Sequence, residues 1–228
     1  MLFIGLDDTD SLESRGTGYL ARQIAARLEM EHRVLGVTRH QLLRDPHVPC
    51  TKNNSCAAIL LDGEVELDAA DVLGHVRELM LQGCQPGSDP GLCIGGVVAP
   101  AVQDFGRQVK ERLVTQEEAR ALAETCGLLL EGLGGDESGV IGALAAVGLV
   151  AGGDDGRYVL VGRSRELRGL QPVPALLDAG IVTVRTEEGE QVSEGLVQTD
   201  KLRPARRGGR PVAIVRWSGE CWQPLKLD

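Results

Sequence analysis

The chain has 228 residues, 43% of them hydrophobic, enough to bury a sizeable core as one large domain or two small ones. Its formal net charge is −9, shared by both halves: residues 1–112 carry 11 basic and 16 acidic groups (−5), and residues 113–228 carry 13 and 17 (−4). That balance argues against a non-specific grip on nucleic acid, though a local basic strip is still allowed. The six cysteines include no Cys-x-x-Cys pair and no zinc-finger histidine spacing, so isolated reduced thiols are expected rather than a structural zinc or a disulfide framework. The apolar start meets Asp7 and Asp8 too early for a signal peptide, and the run 140–153 is too short to span a bilayer. A cytoplasmic protein with no membrane partner is expected.

In chain order, Leu2 to Leu6 reads as a buried strand stopping at an acidic cluster. From Gly18 the spacing turns helical, with Tyr19, Leu20, Ile24 and Leu28 on one face. Val34 to Thr38 and Ala57 to Leu61 read as strands, joined by a polar loop from Arg44 to Asn54. Asp68 is placed to cap a helix running to Leu81. A Gly/Pro-rich loop over 86–96 precedes helices near 99–113 and 116–130, the second opened by Thr115. Gly139 to Val150 reads as a tightly packed helix, and 158–161, 181–185 and 211–217 as strands of a second unit. The class is α/β (α+β), with a join expected between 112 and 135.

Three carboxylates in four residues, Asp7, Asp8 and Asp10, repel one another unless a cation sits among them. Hard oxygen ligands suit magnesium. In an extended strand end Asp8 and Asp10 would share one face and Asp7 the other. The bland alternative is a solvated acidic turn, which spacing alone favours. Gly16-Thr17-Gly18 then enters the first helix, where free N–H groups and close backbone approach suit a phosphate. Thr17 is placed to N-cap that helix. This is no Walker A loop, because the Gly-Lys-Ser/Thr ending is absent. Lys52, in Thr51-Lys52-Asn53-Asn54, could neutralise a phosphate beside Thr17, or the segment could be an ordinary surface loop.

Ile4-Gly-Leu-Asp-Asp-Thr-Asp-Ser11 followed by Gly16-Thr-Gly-Tyr-Leu20 resembles the N-terminal signature of the archaeal tRNA-isoleucine agmatinylcytidine synthetases. The similarity continues through Leu43-Arg44 to Asn54, Ser88-Asp89-Pro-Gly91, Gly139 to Gly148 and, more faintly, Pro211 to Glu220. It implies a kinase-like α/β domain, residues 1–125, followed by a smaller ferredoxin-like α/β domain, residues 126–228. It also implies an ATP- and magnesium-dependent ligase- or kinase-like enzyme acting in tRNA modification or on a smaller acceptor. Asp7, Asp8 and Asp10 would handle the metal. Asp8, Thr17 and Lys52 would carry catalysis, with Thr17 accepting a phosphoryl group. Asp7, Asp10, Gly16, Gly18, Arg44, Asn53 and Asn54 would hold ATP and its phosphates, and Asp89, Asp136, Glu137 and Gly139 a second substrate, such as an amine. Full-length members add an OB-fold and a zinc ribbon that grip tRNA. This sequence ends at Asp228 without paired cysteines and has one hydroxyl where the family has a threonine pair, so ATP is a firmer expectation than tRNA. The competing reading is a nucleotide-binding regulatory or adaptor protein without turnover.

Lys201 to Arg210 is the only basic cluster along the sequence, five cations in ten residues, fitted to nucleic-acid phosphates or to a solvated loop. Trp217 and Trp222 could stack on a base, but in a chain so poor in aromatics they are first expected to close a core. Neither His40 nor His47 is marked by spacing as a general base.

Overall fold

The computed structural model describes residues 1–48, 50–63 and 68–227, so Pro49 of the expected site loop lies outside them. The first half is built from β1 (Leu2–Asp7), α1 (Thr17–Leu28), β2 (Val34–Gln41), β3 (Ser55–Leu61), α2 (Ala69–Gly83) and β4 (Gly91–Gly95). β1 pairs antiparallel with β3 and with β4, and β3 with β2. The order β4-β1-β3-β2 is that of a split βαβ, the ferredoxin-like pattern, traced by residues 2–95. β4 falls inside the stretch expected to be loop; its five residues are all buried, so hydrophobic Leu92, Cys93 and Ile94 outweigh the flanking glycines.

Alternation along β1 sets the two layers. Leu2, Ile4 and Leu6 meet Leu20, Ile24 and Leu28 of α1 and Val72, Val76 and Met80 of α2. Phe3 faces the opposite layer, with Val102, Phe105, Val109 and the apolar helix Gly139–Gly152. That layer comprises α3 (Pro100–Glu111), α4 (Gln116–Thr125) and α5 (Gly139–Gly152). Asp68 caps α2, accepting from the Ala70 N–H at 2.8 Å, and Thr115 and Glu118 close a capping box on α4. α4 ends at Thr125 rather than near 130, because Leu129–Gly132 forms β5 on the edge of β4. α5 is buried on nearly every side, as an all-apolar helix must be. It lies so close to the sheet that a Cβ on Gly5 would overlap the Ala143 carbonyl, and so close to α3 that one on Gly148 would overlap the Val102 carbonyl. Burial of Leu144, Val147 and Val150 there stabilises the layer by about 1.5–3 kcal/mol each.

The sheet continues without a break. β6 (Arg157–Leu160) pairs with β2, and β10 (Ala205–Arg207), β11 (Arg210–Trp217), β12 (Trp222–Pro224), β9 (Leu196–Gln198) and β7 (Leu170–Pro172) follow in that order. β8 (Thr183–Thr186) runs parallel to β11, and α6 (Val173–Asp178) packs its Val173 and Leu176 into a separate small core. Position 125/126, where two units were expected to meet, lies between α4 and β5. β5 pairs with β4 and α5 packs on β1, so residues 129–152 belong to the first layers. The mixed α/β class expected from sequence is the one observed.

Candidate functional site

β1 ends at Asp7, paired with Gly91, and the backbone leaves the sheet at Asp8 in the left-handed region, φ 48°. For a non-glycine residue that conformation costs on the order of 1 kcal/mol or more and concentrates at functional sites. It also corrects the expected two-face arrangement: with the strand broken at Asp8, Asp7, Asp8 and Asp10 all line one cavity of about 720 Å³. That volume lies within the range of about 300–1,000 Å³ usual for small-molecule sites.

The acidic groups are held under tension. Burial pushes the Asp7 carboxyl up to about 7, with the charges of Asp8 and Asp10 adding to it. Burial also raises Asp8 to about 6, reinforced by Asp89, Asp10 and Asp136. Asp10 is raised by burial too, against the lowering effect of the Thr51 hydroxyl and the Lys52 ammonium. Asp7 fits against α5 only because Gly142 has no side chain: a Cβ there would overlap the Asp7 carboxylate.

Gly16, φ 86°, is the residue before α1, and Thr17 is the first helical residue rather than the cap. No side chain caps this helix, so its first amides are available to an anion. The Thr17 Oγ1 accepts from the Thr9 hydroxyl at 3.1 Å and from the Thr9 N–H at 3.5 Å. Two donors on one oxygen favour negative charge there and leave the Thr17 hydrogen to point elsewhere. Thr9 itself is buried.

The 44–54 loop closes over this end. Thr51 Oγ1 donates to Asp10 Oδ2 at 3.2 Å, and Lys52, Asn53 and Asn54 line the cavity. Asn54 also anchors the loop, its Nδ2 donating to the Leu43 carbonyl at 2.8 Å. Arg44 lies outside the lining, beside Gln41 at 3.3 Å.

The expected second-substrate group divides. Gly139 lines the cavity; Asp89, Asp136 and Glu137 do not. Asp89 Oδ1 accepts from the Asp136 N–H at 2.8 Å, and the Asp136 carboxylate accepts from the Ser138 N–H at 2.8 Å, so both serve the turn into α5. Glu137, in the left-handed region at φ 63°, forms an ion pair with Arg120.

The basic strip is also divided. Arg206 is buried, donating to the Val150 carbonyl, the Tyr158 hydroxyl and the Gly209 carbonyl, which removes it from any surface interface. Arg203 lines the cavity. His40 is fully buried in a chain of bonds from Thr38 through His40 to Asp155, which Lys110 also binds. His47 is exposed and bonded to Asp45. Trp222 packs on the second core with Trp217 edge-on at 5.1 Å, and Trp217 remains 52% exposed.

Sequence reasoning missed Thr51, Gly142 and the arginines of the wall, Arg15, Arg22, Arg39, Arg165 and Arg203. A signal existed for part of them. Arg15, Tyr19 and Arg22 recur at helical spacing, and Tyr19, expected in the core, instead lies under Arg15 at 4.2 Å and Arg22 at 5.4 Å. Arg165 and Arg203 come from remote loops, and spacing carries no trace of their meeting.

Among the described residues no group of three or more histidine, cysteine or carboxylate side chains is placed to hold a metal ion by itself. Magnesium needs none, since it takes one or two carboxylates and shares its other positions with water and phosphate. Desolvated, mutually repelling carboxylates fit that ion, and the open helix N-terminus beside them suits the phosphate that would share it.

Most of the chain is similar to known proteins. The chain is 30% identical over 172 residues to the tRNA-isoleucine 2-agmatinylcytidine synthetase TiaS of Cenarchaeum symbiosum, covering 74% of this chain and 37% of that one. The chain is related to the agmatinylcytidine synthetases. TiaS of Methanocorpusculum labreanum is 32% identical over 65% of this chain and 35% of its own length. The solved complex of TiaS with its isoleucine tRNA and ATP superposes with a TM-score of 0.56 and 26% identity, over 64% of this chain and 36% of that one. This chain thus spans about a third of the length of the TiaS proteins it matches. No protein-family model matches it. Among the described residues no helix is long and apolar enough to cross a membrane.

Proposed function

We propose that this TiaS-like chain is an ATP- and magnesium-dependent enzyme that transfers a phosphoryl or nucleotidyl group. The observation that carries the reading is the convergence of Asp7, Asp8, Asp10, the open N-terminus of α1 and Lys52 on one cavity. ATP is the proposed nucleotide because TiaS complexes hold ATP or AMPCPP, and a nucleotide or amine acceptor follows from the tRNA and agmatine in those complexes.

Two of the three carboxylates Asp7, Asp8 and Asp10 would hold magnesium, which when bound neutralises charge on the transferring phosphates. The amides of Thr17 and Gly18 and the Lys52 ammonium orient those phosphates, with Asn53 beside them. Thr9 holds the Thr17 oxygen in place; as that oxygen bonds to the γ-phosphorus, the bond from phosphorus to the bridging oxygen breaks, ADP leaves and the Thr17 proton passes to a carboxylate of the cavity. The carboxylate left off the metal, for which Asp8 at the turn is the candidate, would receive that proton.

Radiolabelled ATP with magnesium tests this. Wild type should turn ATP over and carry label on the protein, Thr17→Ala should lose the label, and Asp8→Asn should lose turnover. Measurable ATP binding with neither turnover nor label in wild type would sink the enzyme reading.

A further inference from the structure

The cavity has a second charged neighbourhood that the nucleotide reading does not use. Arg22 comes from α1, Arg165 from the turn after β6 and Arg203 from the segment between β9 and β10, and all three line the cavity. Some arginines of this acidic chain find carboxylates, as Arg77 does with Glu131, Arg120 with Glu137 and Arg216 with Glu187. The three in the cavity, like Arg168 and Arg207 outside it, donate to carbonyls instead. Among the described residues Arg22 Nε donates to the Gly18 carbonyl at 3.2 Å, Arg165 Nη1 to the Val159 carbonyl at 3.1 Å and Arg203 Nη1 to the Leu202 carbonyl at 2.6 Å. Each guanidinium keeps further N–H groups.

Their proximity shows in their effect on one another. The Arg22 guanidinium is pushed below its usual range by burial first, then by the charges of Arg165, Arg15 and Arg203. The cation acting on the aspartates is Lys52, from the 44–54 loop, whereas Arg165 and Arg203 come from the second half of the chain. Three converging like charges, partly removed from water, are a standing cost that an anion offsets.

We propose that Arg22, Arg165 and Arg203 form an anion subsite that takes a phosphate monoester group of the acceptor substrate, apart from the metal-binding aspartates. A convergent cluster suits one dianionic group with several acceptor oxygens. An extended run of phosphodiesters would instead spread its charge over further cations, and Arg157 and Lys226 stand near enough to Arg203 to feel its charge, so the RNA arm of the test below separates the two ligands. Assigning the ligand to the acceptor rests on the group-transfer reading of the cavity; the anion subsite does not.

Calorimetric titration of the whole chain with inorganic phosphate, without magnesium or nucleotide, is the first measurement. Wild type should bind saturably, and both Arg22→Gln and the double variant Arg165→Gln/Arg203→Gln should bind at least about tenfold more weakly, as expected for charge-assisted contacts. Arg216→Gln, which removes an arginine outside the cavity lining, should match wild type. Magnesium–ATP affinity of the double variant should stay within about twofold of wild type if the nucleotide sits only at the aspartate end. Equal phosphate affinity in all variants overturns the subsite. A parallel loss of ATP affinity overturns it differently, by giving the arginines to the nucleotide. An RNA oligonucleotide without terminal phosphate displacing the probe better than phosphate itself would overturn the monoester assignment. Phosphate binding as expected, with no ATP binding in wild type, would support the subsite and refute the group-transfer reading.

Discussion

Gly142→Ala isolates what positions the metal-binding end. The added Cβ would overlap Oδ2 and Cγ of Asp7 and stand 2.8 Å from its Cβ. Turning the Asp7 side chain moves the first two atoms but not the third, so α5 or the end of β1 must shift as well. Overpacking of this kind costs about 1–3 kcal/mol. Alanine in place of a helical glycine returns about 1 kcal/mol. The net loss of up to about 2 kcal/mol lowers Tm by up to about 8 °C in a chain of this size. The effect on chemistry is larger: displacing a catalytic ligand by about 1 Å costs on the order of 100-fold in turnover. ATP turnover at saturating magnesium, read beside a thermal melt, checks both. Gly152→Ala, at the end of α5 with its Cβ finding only Gln103 Oε1 at 3.7 Å, should leave turnover unchanged and should not lower Tm. Turnover within about twofold of wild type in Gly142→Ala would refute the claim that Gly142 sets the Asp7 carboxylate.

Three further outcomes follow from the packing. Gly74→Ala, in the middle of α2 with open space around its Cβ, should raise stability by about 1 kcal/mol and Tm by about 2–4 °C; no gain would mean hidden crowding. Arg206→Met strips donors from the Val150 carbonyl, the Tyr158 hydroxyl and the Gly209 carbonyl, and should cost about 2–4 kcal/mol in denaturant unfolding; a change under about 0.5 kcal/mol would contradict a buried structural role. Burial holds His40 below its ordinary pKa, neutral, with Nδ1–H donating to Asp155 and Nε2 accepting from Thr38. The unfolded chain then binds more protons as pH falls below about 6.5, so the stability His40 contributes is full above that pH and is lost below it. Asp7 and Asp8 titrate in the opposite sense, so the readout is a difference. The unfolding free-energy gap between wild type and His40→Gln should narrow from about pH 7.5 to about pH 5, either side of the free histidine pKa. A gap constant with pH would show His40 is not kept neutral.

The parts of this molecule that were legible in the sequence are those written in local patterns. The apolar run Leu2 to Leu6 marked β1 as a buried strand, helical spacing placed Leu20, Ile24 and Leu28, and Asp68 and Thr115 marked helix starts. β4 and β5 were not legible, because their apolar residues sit among glycines or continue a helical run, and only sheet pairing settles them. At the site, Asp7, Asp8, Asp10, Thr17 and Lys52 could be named because they lie within short segments in family order. Asp136 and Glu137 were misplaced for a physical reason: both are exposed-looking acids in a glycine loop, yet one ties off the turn and the other pairs with Arg120 across 17 positions. The acidic composition concealed the arginine wall, since net charge averages over a surface while a cavity gathers a few side chains from distant loops.

The carboxylates and the threonine form one device because of the residue between them. Had β1 continued as an extended strand, Asp8 and Asp7 would face opposite sides and Thr9 would project into the sheet's surroundings. The left-handed turn at Asp8 instead folds Thr9 inward, where its hydroxyl and its N–H both reach Thr17 Oγ1 while its carbonyl accepts from the Gln85 N–H at 3.1 Å. Gly16, also at positive φ, completes the reversal that brings the start of α1 back to β1. The strain at Asp8 is therefore spent on coupling: any movement of the acidic turn moves Thr9, and with it the oxygen of Thr17. A solvated acidic turn would have no use for a buried threonine at its centre, and that residue separates the site from its bland alternative more sharply than the three aspartates do.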